Sequence, residues 1–152
     1  MAVDVAQALA LDLAPSSSQV ERGRLRLFAT TIGETDPQYS DLEAAKAQGH
    51  PDLPVPPTFL FGLEIEAPGS FAYLPELGID MRWILHGEQS FTYHFMVHAG
   101  DHLTFRPRIV DVVLKQEGAL VLLVKETEVT RADDVVATLG TTIVARIPLA
   151  AR

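Results

Sequence analysis

Residues 120–147 read LVLLVKETEVT, RADD, VVATLGTTIVARI: two β-rich runs on either side of a short polar turn. Val135, Ala137, Leu139, Ile143, Ala145 and Ile147 recur at even spacing, which puts them on one face of a strand. Two long strands joined by so short a turn pair antiparallel. Toward the N-terminus, His102–Leu114 reads as a strand that reaches this pair through the turn QEGA. Phe91, Tyr93, Phe95 and Val97 alternate in another strand, which ends in the turn HAGD. The second half of the chain is therefore expected to be a four-stranded antiparallel meander.

The first half has another period. Ser18-Gln-Val-Glu21 is a capping-box pattern, followed by Leu25, Phe28 and Ile32 at helical spacing and by Gly33 as a stop. Ser40-Asp-Leu-Glu43 is a second capping box, opening an Ala-rich helix that ends at Gly49. The stretch HPDLPVPP, His50 to Pro57, holds four of the ten prolines; each removes an amide donor and restricts its predecessor, so a constrained extended loop is expected. Pro57 suits the first position of the following helix, TFLFGLEIEA, whose nearly continuous apolar residues predict burial on most sides. APGS and LPELG, between residues 67 and 78, read as turns. A meander with one very apolar helix to fill its concave face is an α+β arrangement: a curved antiparallel sheet wrapped around one buried central helix. The chain divides into an N-terminal arm or short helix over 1–17 and a single domain over 18–152.

The formal charge of −8 disfavours both nucleic acid and anionic membrane surfaces as partners. With no cysteine, disulfides, thiolate nucleophiles and Cys-based zinc sites are excluded, and a cytoplasmic setting fits. The N-terminal MAVDVAQALALDLAP lacks a basic start and is interrupted by Asp4 and Asp12, so no signal peptide is expected. No run reaches membrane-spanning length. His94, His98 and His102 recur every four residues, but across strand, turn and strand and without acidic ligands at metal-site spacing, so no metal is expected.

The run GETDPQYSD (33–41), the loop-to-helix VPPTF, the strand start LHGEQSFTYH, the turn AGD and the closing strand TTIVAR, in that order from about Val20 to Arg146, resemble the MaoC-like dehydratase N-terminal family. These are hot-dog proteins related to (R)-specific enoyl-CoA hydratases and 3-hydroxyacyl-thioester dehydratases. The resemblance implies a single hot-dog domain and an acyl-CoA or acyl-carrier-protein thioester as ligand, with no further cofactor. In catalytic relatives the motif reads Asp-x-Asn-Pro-x-His-x-Asp, its aspartate and histidine moving a proton and activating water. Aligned on Pro37, Glu34 takes the place of the aspartate, Asp36 that of the asparagine and Tyr39 that of the histidine, while Asp41 matches the last aspartate.

Glu34 is longer by one methylene, and a displacement on the order of 1 Å can cost roughly a hundredfold in rate. Tyr39, with an ordinary pKa near 10, is a poor base at neutral pH. Catalytic relatives open the buried helix with a His-Gly pair whose amide polarises the thioester carbonyl; here Pro56 and Pro57 have no N–H, and Thr58 is the nearest amide. Loss of one such donor costs about 3–4 kcal/mol of transition-state stabilisation. The resemblance thus implies a non-catalytic, acyl-chain-binding half of a hydratase/dehydratase, lined by Pro57, Thr58, Phe59 and His86. It would work as a homodimer or, with a catalytic MaoC-like hot-dog subunit, as a heterodimer. An autonomous hydratase using Glu34 with His86 and a non-catalytic acyl-thioester-binding protein are the alternatives. Phe59, Phe61 and Leu63 are expected as core, Trp83 as packing, and Arg106 and Arg108 as a solvated strand face.

Overall fold

The computed structural model describes residues 3–147; residues 1 and 2 of the expected arm and 148–152 of the expected domain lie outside this range. Its strands are β1 (Ser16–Gln19), β2 (Ile84–Tyr93), β3 (His102–Lys115), β4 (Leu120–Arg131) and β5 (Asp134–Arg146). They form one antiparallel sheet in the order β1-β3-β4-β5-β2. The hairpins β3–β4 and β4–β5 are those expected from the turn signals. The place of β2 is a correction to the expected meander: it pairs with β5, at the far side of the sheet from β3. The physical reason lies in residues 97–100, whose backbone bonds reach the distant segments around Val20 and Leu53–Val55. Val55 N donates to Val97 O at 2.9 Å, Ala99 N to Leu53 O at 2.9 Å and Gly100 N to Val20 O at 2.8 Å. HAGD is thus the end of a crossing from one sheet edge to the other. Phe95, expected on the strand, is exposed.

The helices are α1 (Val5–Ala10), α2 (Arg22–Thr31), α3 (Leu42–Ala47), α4 (Phe59–Ile65) and α5 (Tyr73–Glu76). Ser18 does not cap α2, because its backbone is committed to the β1–β3 ladder opposite Leu103; Glu21 occupies the cap position without a side-chain bond. Asp41, not Ser40, caps α3, accepting from Ala44 N at 2.8 Å. Pro57 precedes the Thr58 cap of α4 and lies outside the helix. β1 runs across residues 17 and 18, and Val3 and Ala8 of the expected arm are buried.

Two apolar clusters fill the concave side of the sheet. One joins Phe59, Leu60 and Leu63 of α4 to Leu103, Phe105, Val129, Ala137 and Leu139. The other joins Ala8, Tyr73, Leu74 and Ile79 to Val121, Leu123, Ile143 and Ala145. Between them lies a seam of buried polar groups: Glu64 on α4, Lys125 and Thr127 on β4, and Thr141 on β5. Lys125 and Thr141 are register partners, so the seam crosses neighbouring strands at one level. Helix α4 buries Phe59, Leu60, Leu63 and Glu64, while Phe61, Gly62 and Ile65 are only half-buried. The burial expected on most sides is therefore complete on one face and partial on the other, and it includes a carboxylate.

Candidate functional site

Helix punctuation gathers the motif residues. At the end of α2, Gly33 (φ 73°) donates to Thr30 O at 3.2 Å and Glu34 N donates to Ala29 O at 2.9 Å, a Schellman closure that a glycine in the left-handed region permits. This fixes Glu34 immediately after the helix. Its Oε1 accepts from Thr35 N at 2.8 Å and from Asp36 N at 2.9 Å, so the carboxylate folds back onto its own backbone. Asp36 accepts from Gln38 N at 3.1 Å and caps the single 3-10 turn Pro37–Tyr39. The half-buried Tyr39 phenol is pushed up by burial, then by the charges of Glu34 and Asp36, so at neutral pH it is a fixed hydroxyl and no base.

Tyr39 also neighbours Tyr93, at the end of β2, whose phenol is held far above its ordinary value by burial and by Tyr39. Tyr93 donates to Pro57 O at 2.9 Å, tying the strand to the loop before α4. Thr58 is exposed at the cap, and its N–H makes no backbone hydrogen bond among the described residues. Phe59 is buried, edge-on to Phe28 at 5.3 Å, with the Arg24 guanidinium 5.8 Å from its ring. Glu34, Tyr39, Tyr93, Pro57, Thr58 and Phe59 thus form a run of neighbours around the N-terminus of α4. His86, on β2, meets another part of α4, its ring 4.7 Å from Phe61 and its Nε2 3.2 Å from both Glu88 O and Gln89 Oε1. No hydrogen bond joins it to Glu34 among the described residues.

Two clusters escaped the sequence reading. Gln38 Nε2 donates to Asp36 Oδ2 at 2.7 Å, which leaves Gln38 Oε1 to accept from His50 Nε2 at 3.1 Å and His50 Nδ1 to accept from His98 Nε2 at 3.1 Å. Burial, then the neighbouring His50, push the His98 imidazole down. The relay links three separated loops, and residue spacing offers no signal for it. The second cluster is the buried Glu64–Lys125 pair, joined by Thr127 Oγ1 at 2.6 Å from Glu64 Oε1. The lysine interrupting VLLVKETEV was its one trace in the sequence. His94, His98 and His102 are spread over a strand end, a turn and a strand start, and among the described residues no three His, Asp or Glu side chains converge as a metal site. Arg106 donates to Thr130 Oγ1 at 2.9 Å and Arg108 pairs with Glu126 at 2.5 Å. Among the described residues no helix is long and apolar enough to cross a membrane.

Residues 8–139 match the family model of the FAS1-like dehydratase domain region. The chain belongs to that family. The UPF0336 protein SCO4636 of Streptomyces coelicolor is 39% identical to this dehydratase-region chain over 128 residues, which cover 84% of this chain and 85% of the relative. The C-terminally truncated HadBC complex of Mycobacterium tuberculosis, a 3R-hydroxyacyl-ACP dehydratase, superposes at a TM-score of 0.75 with 26% identity, covering 87% of this chain and 92% of that one. A MaoC-like dehydratase from Phytophthora capsici superposes at 0.80 with 22% identity, covering 95% of this chain but 50% of its own. The fold of this FAS1-like dehydratase-region chain is accordingly the hot dog: one α+β domain with a curved antiparallel sheet.

Proposed function

We propose that this chain is the acyl-chain-binding half of a two-chain hydratase/dehydratase acting on trans-2-enoyl and (R)-3-hydroxyacyl thioesters, with the acid–base pair supplied by a MaoC-like partner. The observation that carries this reading is the engagement of Glu34: its carboxylate is held by the Thr35 and Asp36 amides beside a phenol that stays protonated. Water addition needs a group that exchanges a proton near neutrality, and His is the side chain whose ordinary pKa suits it. The loop offers none. Pro56 and Pro57 offer no amide to a thioester carbonyl, leaving Thr58 N–H as the one nearby donor for orienting it. In this reading Pro57, Thr58, Phe59 and His86 line the channel, the reaction needs no cofactor besides the thioester, and the assembly is cytoplasmic.

The resemblance in fold to a heteromeric dehydratase complex, and to one half of a chain of double length, supports a paired arrangement. Purified chain should hydrate crotonyl-CoA and longer enoyl-CoAs weakly or not at all, and turnover should appear when a MaoC-like chain with an intact Asp-x-Asn-Pro-x-His run is added. Robust turnover by the lone chain, abolished by Glu34→Gln, would overturn the proposal. Acyl-CoA binding without turnover in every mixture would leave a thioester-binding protein in its place.

A further inference from the structure

At the opposite end of α4 from Thr58, a cavity of about 180 Å³ opens between the segment Leu11–Ser16, the residues following α4, α5 and the middle of β4. Its polar lining includes Glu64, Lys125 and Tyr73, which are 4%, 4% and 6% exposed. Glu64 Oε1 accepts from both Lys125 Nζ and Thr127 Oγ1. Glu64 Oε2 and the Tyr73 hydroxyl, by contrast, have no hydrogen-bond partner among the described residues. A buried carboxylate oxygen and a buried phenol without partners are each costly, and both belong to side chains that line the same cavity.

We propose that this cavity is a binding site for an uncharged, hydroxyl-bearing small molecule with an apolar body. A carboxylate oxygen can only accept, whereas a phenol can donate. Burial and the charge of Glu64 push the Tyr73 phenol far up, so it keeps its proton. One ligand hydroxyl satisfies both groups, giving its proton to Glu64 Oε2 and accepting that of Tyr73. The alternatives fit less well. An anion meets Asp12, Glu64 and Glu76 against Lys125, the single cation of the lining among the described residues. An ammonium cannot accept from Tyr73 and would crowd Lys125 at the same carboxylate. A hydrocarbon leaves both polar atoms dry. The volume is about that of six liquid waters, and Leu11, Leu13 and Pro107 line it with carbon, which suits the body of a ring or short chain better than a water cluster. Glu64 lies six residues beyond Thr58, roughly 9 Å along the helix at 1.5 Å per residue, so the site is distinct from the proposed thioester end and does not depend on it.

The test uses the full chain, labelled with ¹⁵N, and follows the Gly69 and Ser70 amides at the cavity wall. Cyclohexanol, cyclohexane, cyclohexanecarboxylate and cyclohexylammonium are titrated in turn. Cyclohexanol should give saturable shifts, cyclohexane should bind at least about tenfold more weakly, and the two ions should give none in the same range. Tyr73→Phe keeps the ring and its packing; it should weaken cyclohexanol about tenfold and leave cyclohexane unchanged. Equal binding of cyclohexanol and cyclohexane, indifference to Tyr73→Phe, or no saturable shift with cyclohexanol would each overturn the proposal. The last result would leave the two atoms to water alone.

Discussion

Replacing Lys125 by Met tests whether the polar seam is a matched pair or merely a pair of buried charges. Lys125 and Glu64 are each 4% exposed, so removing the ammonium strands a carboxylate between two apolar clusters. Breaking a buried pair this way costs about 3–5 kcal/mol. Two features of this site favour the lower end: Thr127 still donates to Glu64 Oε1, and the adjoining cavity gives water a route to Oε2. A cost of about 3 kcal/mol is therefore expected, and at about 2–4 °C per kcal/mol for a domain near this size the melting point should fall by about 6–12 °C. Urea denaturation followed by Trp83 fluorescence and far-ultraviolet dichroism measures it, with an unchanged slope expected because the exposed area is the same. Glu64→Leu combined with Lys125→Met removes both charges and should return stability to within about 1 kcal/mol of the parent, since the desolvation of each ion is lost with its partner's attraction. The reasoning fails if Lys125→Met costs less than about 1 kcal/mol, or if the double variant loses the sum of the two single changes.

Gly87→Ala should destabilise by about 1–3 kcal/mol, because a Cβ there meets Val144 Cγ2 at 2.8 Å and the Thr142 carbonyl at 3.1 Å, and the carbonyl cannot yield. Gly140→Ala meets only the rotatable Ser90 hydroxyl and should cost less in the same melt. Tyr39→His should not by itself confer crotonyl-CoA hydration on the lone chain, because Glu34 remains bound to the Thr35 and Asp36 amides; measurable turnover would contradict the proposed role. The His98 imidazole is pushed down in the folded state by burial and by His50, with Arg131 acting in the same sense and Asp101 and Asp52 opposing. The unfolded chain takes up a proton first, so the stability from this group is full above about pH 6.5 and is lost as pH falls toward the lowered folded value. Melting points between pH 7.5 and 5.5 should fall more steeply for the parent than for His98→Gln.

How far the sequence could be read depended on the range of the interactions involved. The hairpin through RADD was legible because period-two alternation and a polar turn are local, and β4 and β5 follow those boundaries within a residue. Capping boxes are local too, yet Ser18 was outcompeted by a non-local ladder with Leu103, and Asp41 took the cap that Ser40 left when its amide closed the 3-10 turn on Pro37 O. Strand order failed because a short turn signal states that the chain reverses, not which edge it reverses toward; the bonds from residues 97–100 to Leu53, Val55 and Val20 decide that. For the site, the resemblance located Glu34 and Tyr39, but only the backbone bonds to Thr35 and Asp36 revealed that the carboxylate is engaged. Glu64 and Lys125 are separated by 61 positions, and a pattern that reads α4 as an apolar helix has no means of pairing a glutamate on it with one lysine of a distant strand.

The sheet edges decide where a second chain can add. An edge strand carries unpaired amides and carbonyls, and proteins commonly blunt it by shortening, charge or a bulge. β1 is four residues long and leaves little to pair with. β2 is ten residues long, bonded among the described residues to β5 on one side alone, and its bulge between His86 and Glu88 occupies one end, leaving the stretch to Tyr93 regular. Beside it Leu85 is 57% exposed, a large side chain with little to hold it in the lone chain. If the partner of the proposed complex adds at β2, covering the exposed part of Leu85 contributes about 1–2 kcal/mol. Leu85→Lys should then weaken association about fivefold to thirtyfold, with more lost to desolvating the ammonium, while the melting point of the isolated chain stays within about 2 °C because the position is already largely solvated. Sedimentation equilibrium of the parent and the variant, alone and with the catalytic chain, measures both. An unchanged assembly mass across the concentration series would place the partner on another surface, since β1 is too short to hold it.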